Sequence, residues 1–404
     1  MVERAAVTEV TREEGGSATT RASAASALEL RPKARPELAR VEYVLHGAVG
    51  AVELGARGLE RERMIDFSAS TNPLGPPPGV LEALRSLSSE MVARYPDPTA
   101  AGLRRELAAR LGVDAEQVIC GNGSSEIIWL LALAYARPAP ERVLIVGPTF
   151  GEYARACRLM GADVEWHVAD AAGGFAVDVE SLARQIGATR PRLLCLCNPN
   201  NPTGIYLRRA AIERVAAACM GAGSMLVVDE AYLSFVDNPE SLIGMLEAGH
   251  VFLLRSMTKN FGLAGIRLGY GVGARDVVAE LRKAQAPWSV SAVAQAAGEA
   301  ALEDEGYMER SRRAVWAARR RLVDGMSALG FGVHEPTANF VLAGIPDGWE
   351  SAAQLREALF AQGCVVRDCA SFGLPGYIRV GVRARAECER LVAAMATVIE
   401  ERAQ

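Results

Sequence analysis

The apolar residues change rhythm three times along the chain. Residues 1–40 are mostly Ala, Arg, Glu, Ser and Thr, with Gly15-Gly16 and Arg-Pro steps at 31–32 and 35–36, and no apolar periodicity appears before about Val41. Such a composition predicts a disordered extension. Turn signals then cluster in Asn72-Pro73-Leu74-Gly75-Pro76-Pro77-Pro78 and Tyr95-Pro96-Asp97-Pro98, with helical spacing at 80–87 between them. Beyond these, uninterrupted apolar runs at 142–146, 192–197, 225–229 and 251–255 are separated by helical patterns such as 208–222. Continuous apolar strands alternating with helices predict an α/β fold, with a mostly parallel sheet covered on both faces. In the tail, 332–344 and 377–382 read as strands. Segments 352–362 and 386–402 read as amphipathic helices, the latter with Leu391, Ala394, Met395 and Ile399 on one stripe. The expected organisation is an extension (1–40), an arm with part of a small domain (41–90), a large domain (91–320) and a small α+β C-terminal domain (321–404).

Composition narrows this picture. Half of the 404 residues are hydrophobic and 23% are charged, which excludes a wholly disordered or fibrous chain. A net charge of −4 gives no general attraction to nucleic acid or anionic membrane, so an anion must be bound by a local site. The eight cysteines contain no CxxC pair and form no zinc-like cluster with the four histidines, and Cys195 and Cys197 lie inside an apolar run. Reduced, buried thiols, no metal and a cytoplasmic location are expected. No run resembles a signal peptide or a membrane helix, and four glutamates among the first fourteen residues count against a transit peptide.

The candidate chemistry sits at the ends of the predicted strands, where open α/β sheets bind ligands. Gly121-Asn122-Gly123-Ser124-Ser125-Glu126 leads into a helical run, so Gly123, Ser124 and Ser125 offer unpaired amides and a positive dipole end to a phosphate. Asp229 ends one apolar run. Lys259 follows another in Ser256-Met257-Thr258-Lys259, where apolar walls favour a free amine able to attack carbonyls. Ser256 and Arg267 add a hydroxyl and a guanidinium fork. Each piece alone has a plain reading: a solvated lysine, a capping aspartate, a simple turn. Their order is the stronger signal, with 28 residues from Asn201 to Asp229, 30 to Lys259 and 8 more to Arg267. The run Gly269-Tyr270-Gly271-Val272-Gly273 lacks the third glycine of a dinucleotide loop and reads as glycines packing a backbone crossing.

In these segments, together with Asn198-Pro199-Asn200-Asn201-Pro202-Thr203-Gly204 and Asp229-Glu230-Ala231-Tyr232, the chain resembles the fold-type I pyridoxal-phosphate enzymes, specifically the class I/II aminotransferase family, over about residues 45–400. The resemblance implies pyridoxal 5'-phosphate carried by Lys259, with Asp229 at its ring nitrogen. Asn201 and Tyr232 would meet its phenolic oxygen and Phe150 would stack on its ring. Its phosphate would be held by Gly123, Ser124, Ser125, Ser256 and Arg267. It also implies a homodimer in which Tyr95 reaches the neighbouring subunit's phosphate.

Within that family the chain is similar to two branches. Asn198–Gly204 and Asp229–Tyr232 are shared with histidinol-phosphate aminotransferases. Three further segments resemble the threonine-phosphate decarboxylases of cobalamin biosynthesis: His46-Gly47 ahead of Asp66–Gly75, Pro287-Trp288-Ser289-Val290, and Arg367-Asp368-Cys369 followed by Tyr377-Ile378-Arg379-Val380. That likeness implies His46, Gly47, Ser70, Asn201, Arg367 and Arg379 at an amino acid phosphate, decarboxylated by the lyase or transaminated by the alternative. Ser70 stands where the decarboxylases carry Asn, and Tyr232 is the aminotransferase-like residue, so serine phosphate and side transamination stay open. A transcription regulator built on this fold would need a DNA-binding module, which forty low-complexity residues cannot supply.

Overall fold

The computed structural model describes residues 33–44 and 47–403. Its strands are short and come in two groups. After β1 (Ile65–Asp66), the first group runs β2 (Val118–Asn122), β3 (Arg142–Gly147), β4 (Asp163–Val168), β5 (Leu193–Cys197), β6 (Met225–Asp229), β7 (Val251–Ser256) and β8 (Leu268–Val272). These seven form one sheet in the order β2-β8-β7-β6-β5-β3-β4. All neighbours are parallel except β8, which runs antiparallel to β2 and β7.

Uninterrupted apolar strands are needed here because side chains of alternate residues enter different cores. Leu194, Leu196, Leu226, Val228 and Leu253 join one buried cluster; Cys195, Cys197, Val227, Phe252 and Leu254 join the cluster on the opposite face. Helices such as Ser124–Tyr135, Glu152–Leu159 and Arg209–Ala222 cover the sheet. In β8, a Cβ at Gly271 or Gly273 would meet the Phe252 ring within 2.6 Å, so these glycines pack a crossing rather than a nucleotide.

The second group is antiparallel. It comprises β9 (Gly332–Val333), β10 (Phe340–Gly344), β12 (Arg367–Cys369) and β13 (Leu374–Gly381), in the order β12-β13-β10-β9. Its core holds Val341, Ile378, Val380, Leu391 and Met395, supplied in part by the helices Ala352–Ala361 and Arg385–Ala403. β11 (Cys364–Val365) pairs in parallel with β1, which stitches the entry segment to this half. All eight cysteines are buried and unpaired. Among the described residues, no helix is long and apolar enough to cross a membrane.

Two expectations need correction. The strand expected over 332–344 is two strands that pair with each other; residues 334–339 leave the sheet at Pro336, which has no N–H to donate, and Thr337 donates its hydroxyl to the Gly204 carbonyl. The extension expected to be disordered through residue 40 is ordered at its end, where Pro36–Arg40 forms a 3-10 helix against the helix Glu152–Leu159. Pro36 at its first position pre-sets the helical φ, a local signal that outweighs the lack of apolar periodicity. Residues 1–32 lie outside the described residues.

Candidate active site

Register across the large sheet gathers distant residues at one edge. Cys197 pairs with Asp229, Asp229 with Leu254, and Ser256 with Gly269. The chain therefore delivers Asn201, Asp229, Ser256 and Lys259 from consecutive strand ends. They line a cavity of about 420 Å³ with Gly47, Ser68, Ser70, Ser124, Ser125, Phe150, Tyr153, Tyr232, Arg267, Arg367, Phe372 and Arg379.

Lys259 lies in the one-turn helix Met257–Asn260 that continues β7, and the Asn72 amide, donating to the Lys259 carbonyl at 3.1 Å, anchors that turn. Burial, then the positive charges of Arg379 and Arg267, lower its amine to about 8, against a weaker opposing pull from Asp229. Asp229 is buried, and its Oδ2 accepts from the Tyr153 hydroxyl at 2.6 Å and its Oδ1 from the Ala231 amide at 2.9 Å. Burial raises its carboxyl, and these two bonds and Lys259 oppose the rise. Burial also pushes the Tyr232 phenol up to about 12, so it stays a hydroxyl.

At the other wall Gly123 takes φ +77° and caps the helix Ser124–Tyr135. A Cβ on Gly123 would sit 2.6 Å from the Arg267 guanidinium, so only glycine lets that cation lie against the helix N-terminus. Arg267 is itself in the left-handed region at φ +62°. Ser256 Oγ is 2.6 Å from Thr258 Oγ1. Hydroxyls, a helix N-terminus and a guanidinium thus converge, the donor set an anionic phosphate needs.

The opposite end draws on the arm and the small sheet. Arg379 on β13 donates to Asn201 Oδ1, and to the Ser68 carbonyl at 2.7 Å. Arg367 on β12 donates to Ser371 Oγ at 2.6 Å, and its guanidinium lies 5.7 Å from the Phe372 ring centre. The arm is sewn down by backbone amides, Ala48 onto Ser68 Oγ at 2.9 Å and Val49 onto Asp66 Oδ2 at 3.1 Å. A Cβ on Gly47 would fall 2.1 Å from the Ser68 carbonyl oxygen. Buried Ser70 Oγ and Arg379 Nε find no hydrogen-bond partner among the described residues. Unmet donors in a cavity of cations fit an anionic ligand.

The profile of the family described as "Aminotransferase class I and II" matches residues 62–395. The chain belongs to that family. Its fold is the fold-type I aminotransferase fold, and its cofactor is pyridoxal 5'-phosphate. It is 38% identical over 355 residues to the histidinol-phosphate aminotransferase of Symbiobacterium thermophilum, covering 87% of this chain and 94% of that one. It is also 34% identical to the threonine-phosphate decarboxylase of Salmonella typhimurium, covering 85% and 93%. The L-threonine-O-3-phosphate decarboxylase structure from Porphyromonas gingivalis superposes with a TM-score of 0.71 at 27% identity, covering 83% of this chain and 99% of that one.

Of the residues singled out from sequence, the cavity takes in all but three. Gly123 stands just behind it against Arg267. Tyr95 lies outside it, 78% exposed and stacked on Trp288 with ring centres 4.4 Å apart. His46 lies outside the described residues. Sequence reasoning gave no role to Tyr153, Ser68 or Phe372. Tyr153 had one usable signal, its place on the first helical turn three residues after Phe150.

Proposed function

We propose that the protein is a homodimeric carboxy-lyase that converts L-threonine O-3-phosphate to (R)-1-amino-2-propanol phosphate and carbon dioxide. The supporting observation is the substrate end of the cavity: two buried guanidiniums, Arg367 and Arg379, under an arm whose Gly47 backbone is pressed onto the Ser68 carbonyl. A short, dicationic end suits a small substrate with two anionic groups, a carboxylate and a phosphate.

In this reading Lys259 carries the cofactor, and Asp229 faces its ring nitrogen. Asn201 and Tyr232 meet its phenolic oxygen and Phe150 covers its ring. Gly123, Ser124, Ser125, Ser256 and Arg267 hold its phosphate, with Tyr95 arriving from the partner. Pyridoxal phosphate, when bound, supplies the electron sink for bond cleavage at the substrate α-carbon. The protein's own share is orientation and proton transfer. Arg379, braced by Asn201 and Ser68, and Arg367, braced by Ser371, fix the two anions and so select which α-carbon bond breaks. Lys259 Nζ, its basicity lowered by burial, moves the proton that replaces the departing carboxylate on that carbon. Gly47 and Phe372 line the cavity beside these two arginines.

A second reading, transamination of histidinol phosphate, is favoured by the identities of the relatives, among which histidinol-phosphate aminotransferases reach 38%, 36% and 36%. One assay separates the two. Threonine phosphate alone should release carbon dioxide, with no 2-oxo acid required and little reaction of free threonine. If it releases none while histidinol phosphate and 2-oxoglutarate yield glutamate, the aminotransferase reading replaces this one.

A further inference from the structure

Tyr153 belongs to neither the phosphate cradle nor the substrate end, yet it is one of the largest fully buried side chains in the molecule. It sits on the first turn of the helix Glu152–Leu159, where its ring meets the Phe150 ring edge-on, centres 5.7 Å apart and planes at 84°. Its hydroxyl donates to Asp229 Oδ2 at 2.6 Å, opposite the Ala231 amide on Oδ1 at 2.9 Å. One residue thus links the aromatic ring and the carboxylate, two groups on different elements that must keep a fixed relation to a planar ligand.

We propose that Tyr153 is the positioning residue for Asp229, fixing the plane of the carboxylate and donating the hydrogen bond that its charged form requires. A buried carboxylate without enough donors takes up a proton instead and loses its charge. The groups around Asp229 cannot replace this donor. Cys195 and Cys197 of β5 are buried thiols, the latter donating to the Pro199 carbonyl; Glu230 beside it is acidic and engaged with Arg255; Tyr232 meets the Phe340 ring in a T-shaped contact; among the described residues, Lys259 is the one cation acting on it. Burial holds the Tyr153 phenol well above its ordinary range, so its proton stays in place at any working pH. The donor is permanent.

The inference rests on Asp229 being the carboxylate that faces the cofactor, and its test keeps the two apart. Asp229→Asn is scored on cofactor affinity. Tyr153 is scored in the cofactor-free protein, by infrared titration of the buried carboxyl band, with Asp229→Asn identifying that band and a thermal melt confirming the fold. In Tyr153→Phe the midpoint should rise by about one pH unit or more. Site-specific 3-fluorotyrosine at position 153, a stronger donor on the same ring, should move it the other way. A midpoint that ignores either substitution overturns the proposal, and the fluorinated chain decides the matter if Tyr153→Phe does not fold.

Discussion

The two ends of the cavity are built by different means. At the end that the proposed reading gives to the cofactor, the groups of this chain's cavity stand on or beside elements of the seven-stranded sheet: Asp229 on β6, Ser256 on β7, Lys259 one turn later, Arg267 just before β8, Ser124 on the helix N-terminus that follows β2. At the substrate end, the groups come from the arm, from residues 66–71 and from β12 and β13, and hydrogen bonds rather than shared strands hold them together. Strand ends in one sheet are spaced by the sheet's own geometry, so the first end is rigid and general. The second end can change residue by residue without touching the large sheet. In the proposed reading, chemistry common to many reactions belongs to the first end, and the choice among them belongs to the second.

The sharpest way to break this contrast is at Lys259. Lys259→Met should lower turnover by at least about a thousandfold whichever substrate is supplied, because the amine serves every outcome. Its stability signature is separate. The amine is lowered from 10.5 to about 8 in the folded protein, so charging it opposes folding. The wild-type cofactor-free protein should therefore gain stability as pH rises from about 8 toward 10.5, and lose that gain as pH falls back through 8. Lys259→Met should be the more stable of the two below pH 8, by about 3 kcal/mol, with the difference shrinking at higher pH. Denaturant melts of both proteins across that range check the sign.

Arg379 touches both ends, and its loss should be selective where that of Lys259 is not. Arg379→Ala leaves the Asn201 and Ser68 oxygens without their donor and, in the proposed reading, the substrate anion without its clamp. An expected fall of about a hundredfold or more in kcat/KM follows from breaking a buried charged hydrogen-bond set. The change also removes a cation beside Lys259, so the amine should become more basic and the alkaline shift of the pH–rate profile should show it. An unshifted profile would mean that Arg379 acts on substrate alone.

A milder test belongs wholly to the substrate end. Gly47→Val places a branched side chain where even a Cβ would lie 2.1 Å from the Ser68 oxygen, so the arm must lift. KM should rise about tenfold while cofactor affinity stays put, a split that titration and steady-state kinetics measure together. If cofactor affinity falls as far as substrate affinity, the two ends are not separable.

The same contrast explains what the sequence revealed. β5, β6 and β7 are buried on both faces, so their apolar runs stand out, and the residues that follow them carry the chemistry at regular intervals. β4 is an edge strand of alternating character, Asp-Val-Glu-Trp-His-Val, and β8 is rich in glycine; neither has the composition of a buried strand, and both escape a reading by apolar runs. At the substrate end Arg367 and Arg379 were legible as a pair of cations, but the groups that brace Arg379 were not. Ser371 lies four residues from Arg367, but the partners of Arg379, Asn201 and Ser68, are set by tertiary approach across 178 and 311 residues, which no local pattern records. Tyr153 was hidden for the same reason, since its partner Asp229 lies 76 residues away.

The smallest expected effect lies outside the cavity, at Trp288. Its backbone is left-handed at φ +56°, uncommon for a bulky side chain, and the ring it presents is stacked on Tyr95 at an angle of 24°. Both rings are solvent-exposed in the single chain, Trp288 at 43%. A strained, exposed aromatic pair makes sense if the stack holds Tyr95 in the pose it uses on a neighbouring subunit. An aromatic pair contributes about 0.5–1.5 kcal/mol beyond burial. Trp288→Ala should therefore weaken cofactor binding severalfold, about tenfold at most, with kcat unchanged once cofactor saturates. Tyr95→Phe should weaken it further, because it removes the hydroxyl and not only its support. The double variant should match Tyr95→Phe alone, since a ring that has lost its hydroxyl gains nothing from being held. Additive losses would show that Trp288 serves the fold by itself, and that the rigid end of the cavity ends at the strand tips of one chain.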